Sequence, residues 1–193
     1  MPIFSLVLID QYSSIDDIAK PIKSITIKTN EIQEGWYLMN NKVYMLSKKF
    51  REAIEVAKEE GLLDSDPTLK NFPRGCCGSG SSLLAKFLYE NGVYTYEVNG
   101  TKYSETSWDN QSHTWLMLEN NYIIDITGYQ FRTDAEFLYY SEKVYYGEMD
   151  DFHLMFDYDE SDINEYDDCT LLSGKVGEQY LRMYNAILDC IED

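Results

Sequence analysis

Positive charge is scarce in this chain. Its 193 residues hold 16 Lys and Arg against 34 Asp and Glu, for a net charge of −18. A nucleic-acid binder needs a basic face, and no cluster of Lys or Arg supplies one. Anionic membrane surfaces are disfavoured on the same ground. Long apolar runs are also missing. No window approaches the roughly 18 residues that a membrane-spanning helix requires. The apolar start, residues 1–11, has no basic region before it. Asp10 stands where a small-residue cleavage site would follow, so this stretch reads as a buried strand over 3–9 rather than a signal peptide. The four cysteines are too few for a disulfide scaffold, and a bridge between adjacent Cys76 and Cys77 would close a strained ring. A reducing cytoplasm is the expected compartment. Three motifs are absent as well. Without Gly-Lys-Ser/Thr there is no phosphate loop, and without G-x-S-x-G there is no serine nucleophile elbow. Cys76, Cys77 and His113 lack the C-x-x-C spacing of a zinc site. No metal and no cofactor is expected.

Apolar residues make up 44% of the chain, enough for one domain over 1–193 with a full core. The patterning predicts an α+β fold. Residues 23–29 alternate like a half-exposed strand. Trp36–Met39 and Val43–Leu46 flank Asn40-Asn41 like a hairpin, and Ser47 is placed to cap a helix over 48–60. These elements make up an N-terminal part over 1–61. Further strands are expected at 93–98, 113–119, 122–127 and 143–146, with Asn99-Gly100 as a turn, a polar loop over 101–112 and a short helix over 132–140. Residues 148–168 carry ten acidic residues and no Lys or Arg, which reads as a solvated loop. Asp157, Asp159, Ser161 and Asp168 only loosely echo a calcium loop, because Asp162 stands at its glycine position. A final amphipathic helix carries Val176, Tyr180, Met183, Tyr184, Ile187, Leu188 and Ile191 as one stripe. With the acidic segment it makes up 148–193.

The chemistry concentrates between Phe72 and Asp125. Gly75-Cys76-Cys77 forms a glycine-rich turn that opens a helix, with Leu84, Phe87 and Leu88 at helical spacing and Asn91-Gly92 as its stop. A cysteine at a helix start lies among unpaired N–H groups and the positive end of the macrodipole, a setting that favours a thiolate. His113 begins one strand, and Asp125 interrupts an apolar strand that a hairpin places beside it. Nucleophile, base and orienting carboxylate thus occur in chain order as Cys77, His113 and Asp125. His153 reads as a structural histidine.

These residues resemble the transglutaminase-like branch of the papain-like cysteine superfamily. Gly75-Cys76-Cys77 matches its Gly-x-Cys turn, and Gly92-Val93 matches the Gly-Ile behind the helix. His113-Thr-Trp115 and Asp125-Ile-Thr127 match its two strand motifs. The resemblance covers about a third of the chain, residues 72–131. Ser79 and Met117 stand where the family often has acidic residues. The resemblance implies a central helix packed on a mainly antiparallel sheet, here with an added C-terminal helix. It further implies a cysteine hydrolase, a peptidase or amidase, in which Cys77 forms a thioester, His113 relays the proton and Asp125 holds the imidazole tautomer. Acyl transfer to an amine, glutamine deamidation and a non-catalytic binding module are the alternatives. The Cys77 backbone N–H is one expected oxyanion donor. Cys76, Gly78, Gln130, Trp36, Asn71 and Trp115 are the candidates for the remaining oxyanion and substrate contacts. The implied partner is a peptide or protein substrate, and the acidic surplus leaves room for a basic one.

Overall fold

The computed structural model describes residues 39–104 and 110–191. The chain divides into two compact units, Met1–Asn41 and Lys42–Asp193, and the described residues lie almost wholly in the second. The strands expected at 3–9 and 23–29, and Trp36, lie outside the described residues.

Helix α1 covers 39–59. Val43, Phe50, Ala53, Ile54 and Ala57 are its buried apolar positions. Val43 belongs to the same three-to-four-residue period as Phe50 and Ala57, so residues 43–46 are helical rather than the second strand of a hairpin. Ser47 therefore lies inside the helix instead of capping it, and its hydroxyl donates to the Val43 carbonyl at 2.9 Å.

Helix α2, Cys77–Glu90, buries Leu83, Leu84, Phe87 and Leu88. It ends as expected: Gly92 adopts φ +75°, and the Val93 N–H bonds back to the Leu88 carbonyl at 2.9 Å.

Five strands form one antiparallel sheet: β1 (Tyr96–Lys102), β2 (Gln111–Met117), β3 (Ile123–Asp125), β4 (Tyr145–Gly147) and β5 (Ile163–Glu165). Their order is β4-β3-β2-β1-β5. The β2–β3 hairpin forms as expected, with Leu116 opposite Ile124. Asn99-Gly100 is not a turn. Gly100 sits within β1 opposite His113, and a Cβ there would lie 2.7 Å from both the Trp115 ring and Phe156. Glycine is needed for this close packing, not for chain reversal.

Each face of the sheet carries its own core, because alternate side chains point to opposite sides. Leu116, Ile124 and Ile126 pack with α1, α2 and the final helix α3 (Lys175–Leu188). In α3 the stripe buries Met183, Tyr184 and Ile187, while Val176 is left exposed. On the other face, Val98, Trp115, Met117 and Ile123 pack with Phe131, Phe137, Tyr140, Phe152 and Phe156. Two 3-10 turns, Gly128–Thr133 and Ala135–Phe137, replace the expected helix over 132–140. The acidic segment is not simply a solvated loop. Phe152, His153 and Phe156 are buried, and the segment supplies strand β5. Its acidic side chains alternate with the aromatic ones that close the second core. Among the described residues, no helix is long and apolar enough to cross a membrane.

Candidate active site

Cys77 is the first residue of α2, and Cys76 is its N-cap. The two adjacent thiols meet opposite surroundings. Cys76 is 2% exposed in the first core, and its pKa is pushed up to about 12, mainly by burial and then by the Cys77 thiol beside it. Cys77 is half-buried. Burial raises its pKa too, but hydrogen bonding and charge from His113, with Thr114 alongside, outweigh this and lower it below the ordinary thiol value. Burial pushes Cys169 up to about 12, and it raises Cys190 as well. Cys77 is thus the one described thiol whose environment favours the thiolate.

His113 lies wholly buried on β2, its ring set between Phe131 at 5.1 Å and Phe156 at 5.4 Å. Its Nε2 meets Asp125 Oδ2 at 2.8 Å. Nδ1 is buried without a hydrogen-bond partner. Burial disfavours the imidazolium. The charge and hydrogen bond of Asp125, together with Cys77, overcome that penalty and push the pKa up to about 9.

Asp125 ends β3 and uses both carboxylate oxygens. Oδ1 accepts the backbone N–H groups of Thr127 at 2.7 Å and Gly128 at 3.0 Å, and the Thr127 hydroxyl at 3.1 Å. Gly128 is required here, because any Cβ would collide with the carboxylate and with Tyr140. Oδ2 faces two imidazoles, since His153 Nε2 lies 3.3 Å away. His153 Nδ1 pairs in turn with Asp150 at 2.6 Å. Burial penalises the Asp125 anion, but the two imidazoles hold its pKa well below the usual carboxylate range.

The sequence reading missed the role of His153. An isolated histidine in an acidic stretch gives little signal; the one local hint is Asp150 three residues before it. Arg51 was missed as well. It is 2% exposed within α1, donates to the Ile126 carbonyl just past Asp125, and pairs with Glu55 at 2.9 Å. It thereby ties α1 to the end of β3.

Gln130 reaches the cysteine turn. Its side-chain oxygen accepts the Gly75 N–H at 3.0 Å, and its Nε2 is buried without a partner. Gly78 follows the thiol in α2, and its carbonyl accepts from the Ser82 hydroxyl at 3.0 Å. Asn71 stays exposed at the end of a 3-10 turn, Leu69–Asn71. Trp115 is 0% exposed in the second core, so it supports His113 from behind and cannot touch substrate.

His113, Asp125 and His153 bring ligand-capable atoms within 4.8 Å of one another, which makes them the group among the described residues able to hold a metal ion. The 2.8 Å contact is that of a charge-assisted hydrogen bond formed without an ion, whereas His153 Nε2, 3.3 Å from Oδ2, is buried without a hydrogen-bond partner. The loose calcium-loop pattern does not assemble. Asp159 caps a 3-10 turn through the Ser161 N–H, while Asp168 pairs with Lys86 at 2.8 Å.

Comparison with protein-family models, with curated proteins and with solved structures gives no match.

Proposed function

We propose that this protein is a cysteine-dependent hydrolase of amide bonds, built on a papain-like core of the transglutaminase-like kind. Supporting this is one observation above the others. Of two adjacent cysteines, the one at the helix start lies against a buried imidazole whose far nitrogen is fixed by a carboxylate. That is the nucleophile–base–orienter arrangement. Cys77 attacks the carbonyl as its thiolate and forms a tetrahedral oxyanion. Its own backbone N–H, at the helix N-terminus, faces the developing charge. His113 Nδ1 then passes its proton to the leaving amine, which departs as the thioester forms. Water, deprotonated by the same nitrogen, attacks the thioester and returns the free thiol with a carboxylic acid. Asp125 keeps Nε2 protonated throughout and stabilises the imidazolium when it forms.

Mass spectrometry after mixing with p-nitrophenyl acetate tests the reading. An acetyl group on Cys77 that forms with a burst of nitrophenolate and then hydrolyses supports it. Absence of that adduct in folded protein, or an adduct on another residue that persists in Cys77→Ala, contradicts it.

Transfer of the acyl group to an amine remains the second reading. It is favoured by carboxylates lining a pocket that begins five residues along α2 from Cys77.

A further inference from the structure

A pocket of about 190 Å³ lies beside α2, bounded by Ser82 and Ala85 of that helix, by Glu97 of β1 and by the segment from β5 onward. Ser82 follows Cys77 by five residues, so their backbones lie about 7–8 Å apart along the helix axis. Polar contacts connect the two. The Ser82 hydroxyl lies 3.0 Å from the Gly78 carbonyl and 2.8 Å from Glu97 Oε2. Thr114, beside Cys77, donates to Asn99 at 2.9 Å, and Asn99 hydrogen-bonds Glu97 in turn. The Tyr180 hydroxyl, at the rim, meets Ser79 at 3.2 Å.

The lining is specific in charge and shape. Glu97, Glu165 and Asp167 contribute carboxylates, and no Lys or Arg is among the lining residues. Lys86, on the same helix, is engaged by Asp168 at 2.8 Å and Glu90 at 3.0 Å. Glu97 has neutral partners alone, Ser82 and Asn99, and burial raises its pKa. A half-buried carboxylate without a cation is an unfinished ion pair. A second, separate feature is Thr95. It is 1% exposed in the pocket wall, and its hydroxyl has no hydrogen-bond partner. A buried polar group left unpaired beside a cavity marks a place where a ligand supplies the missing bond. Tyr166, Tyr180 and Leu172 complete the walls. These surfaces suit methylene groups, and the two aromatic faces also suit a cation.

We infer that this pocket receives an alkyl chain ending in a cation, such as a lysine side chain, and so selects basic acyl substrates for the neighbouring thiol. The inference rests on the reading of Cys77 as the nucleophile. Glu97 binds the cationic end, and the aromatic and apolar walls hold the stem. The scissile carbonyl is then left at the start of α2.

Two thiol reagents of equal length test this on the intact protein: 6-aminohexyl and 6-hydroxyhexyl methanethiosulfonate. The thiolate attacks the sulfenyl sulfur, a mixed disulfide forms, and methanesulfinate leaves. At 0.15 M salt, which screens the general acidity of the surface, the amino reagent modifies Cys77 about tenfold faster. That is the size of effect one charge-assisted hydrogen bond supplies. In Glu97→Gln, which keeps an oxygen for Ser82, the ratio of the two rates falls to about one, whereas Glu59→Gln, a distant exposed change, keeps the tenfold ratio. A ratio that survives Glu97→Gln overturns the pocket assignment. If Cys77 reacts with neither reagent faster than Cys190 does, it is the nucleophile reading that fails instead. Protection by acetyl-lysine amide at a lower concentration than pentylamine requires places the cation on the acyl substrate, as inferred. Protection by pentylamine alone overturns that placement and assigns the pocket to a free amine acceptor.

Discussion

Gln130 and Gly75 hold the reactive turn together: the Gln130 side-chain oxygen accepts the Gly75 N–H at 3.0 Å, two residues ahead of Cys77. This contact spans 55 positions of sequence and fixes which way the amide faces. Its oxygen is committed, and its Nε2 is buried with no partner. An unpaired buried donor is costly unless something else uses it. In the proposed reaction, the oxyanion on a substrate at Cys77 would be such an acceptor.

Gln130→Glu therefore separates anchoring from donation, because the carboxylate still accepts from Gly75 but offers no N–H. Acylation of Cys77 by p-nitrophenyl acetate passes through an oxyanion, and it is expected to slow about 100-fold. Alkylation by iodoacetamide forms no oxyanion, and it is expected to change far less. Equal slowing of both reactions would show Gln130 to be a scaffold residue only.

Asp125→Asn is expected to lower both reactivity and stability. The amide oxygen can still accept from Thr127 and Gly128, but its NH₂ faces two imidazoles that need an acceptor. Breaking a buried charged pair costs about 3–5 kcal/mol. The pH dependence has a definite sign. The raised His113 pKa contributes stability that is fully present below about 6.5 and is lost as pH rises through about 9. The lowered Asp125 pKa contributes stability that is present above about 3.8 and is lost as pH falls below that. The gap in unfolding free energy between wild type and Asp125→Asn should thus be widest between about pH 4 and 6.5 and narrow toward pH 9. A gap that stays constant across that range would mean Asp125 acts through its shape and not through its charge.

His153→Gln removes one of the two imidazoles that share Asp125. Like charge near His113 is then reduced, and the carboxylate serves one partner. NMR titration of the His113 ring should show a pKa above that of the wild type. An unchanged or lower value would place His153 outside this network.

Chelation separates the hydrogen-bonded reading of this cluster from a metal centre. Dialysis against a chelator is expected to leave the rate of Cys77 alkylation unchanged. A loss of nucleophilicity or esterase burst that added zinc restores would assign His113, Asp125 and His153 as ligands.

Much of this site was legible because its signals are local. A glycine turn before an amphipathic helix sets Cys77 at a helix start. Two apolar strands joined by Asn120-Asn121 bring His113 and Asp125 onto neighbouring strands. The features that escaped depend on distant partners. Gly100 looks like turn chemistry beside Asn99, yet it lies in mid-strand because Trp115 and Phe156 leave no room for a side chain. Val43–Leu46 looks like a strand until Phe50 and Ala57 extend its apolar period into α1. His153 and Phe152 are hidden among carboxylates, and nothing short of the fold connects them to Asp125. The pairing of Gln130 with Gly75 likewise requires the turn after β3 to fold back toward the helix.

The most direct measurement is the alkylation rate of each cysteine across pH 5 to 10 with iodoacetamide at low excess, read by peptide mapping. The account predicts that Cys77 labels first and does so below the ordinary thiol pKa of 9.0, because His113 stabilises its anion. Cys76, pushed up to about 12, should stay unlabelled over the whole range although it is the adjacent residue. Labelling of Cys77 only in step with an unfolded-chain thiol, or preferential labelling of Cys76, would contradict the pairing of Cys77 with His113 on which the proposed chemistry depends.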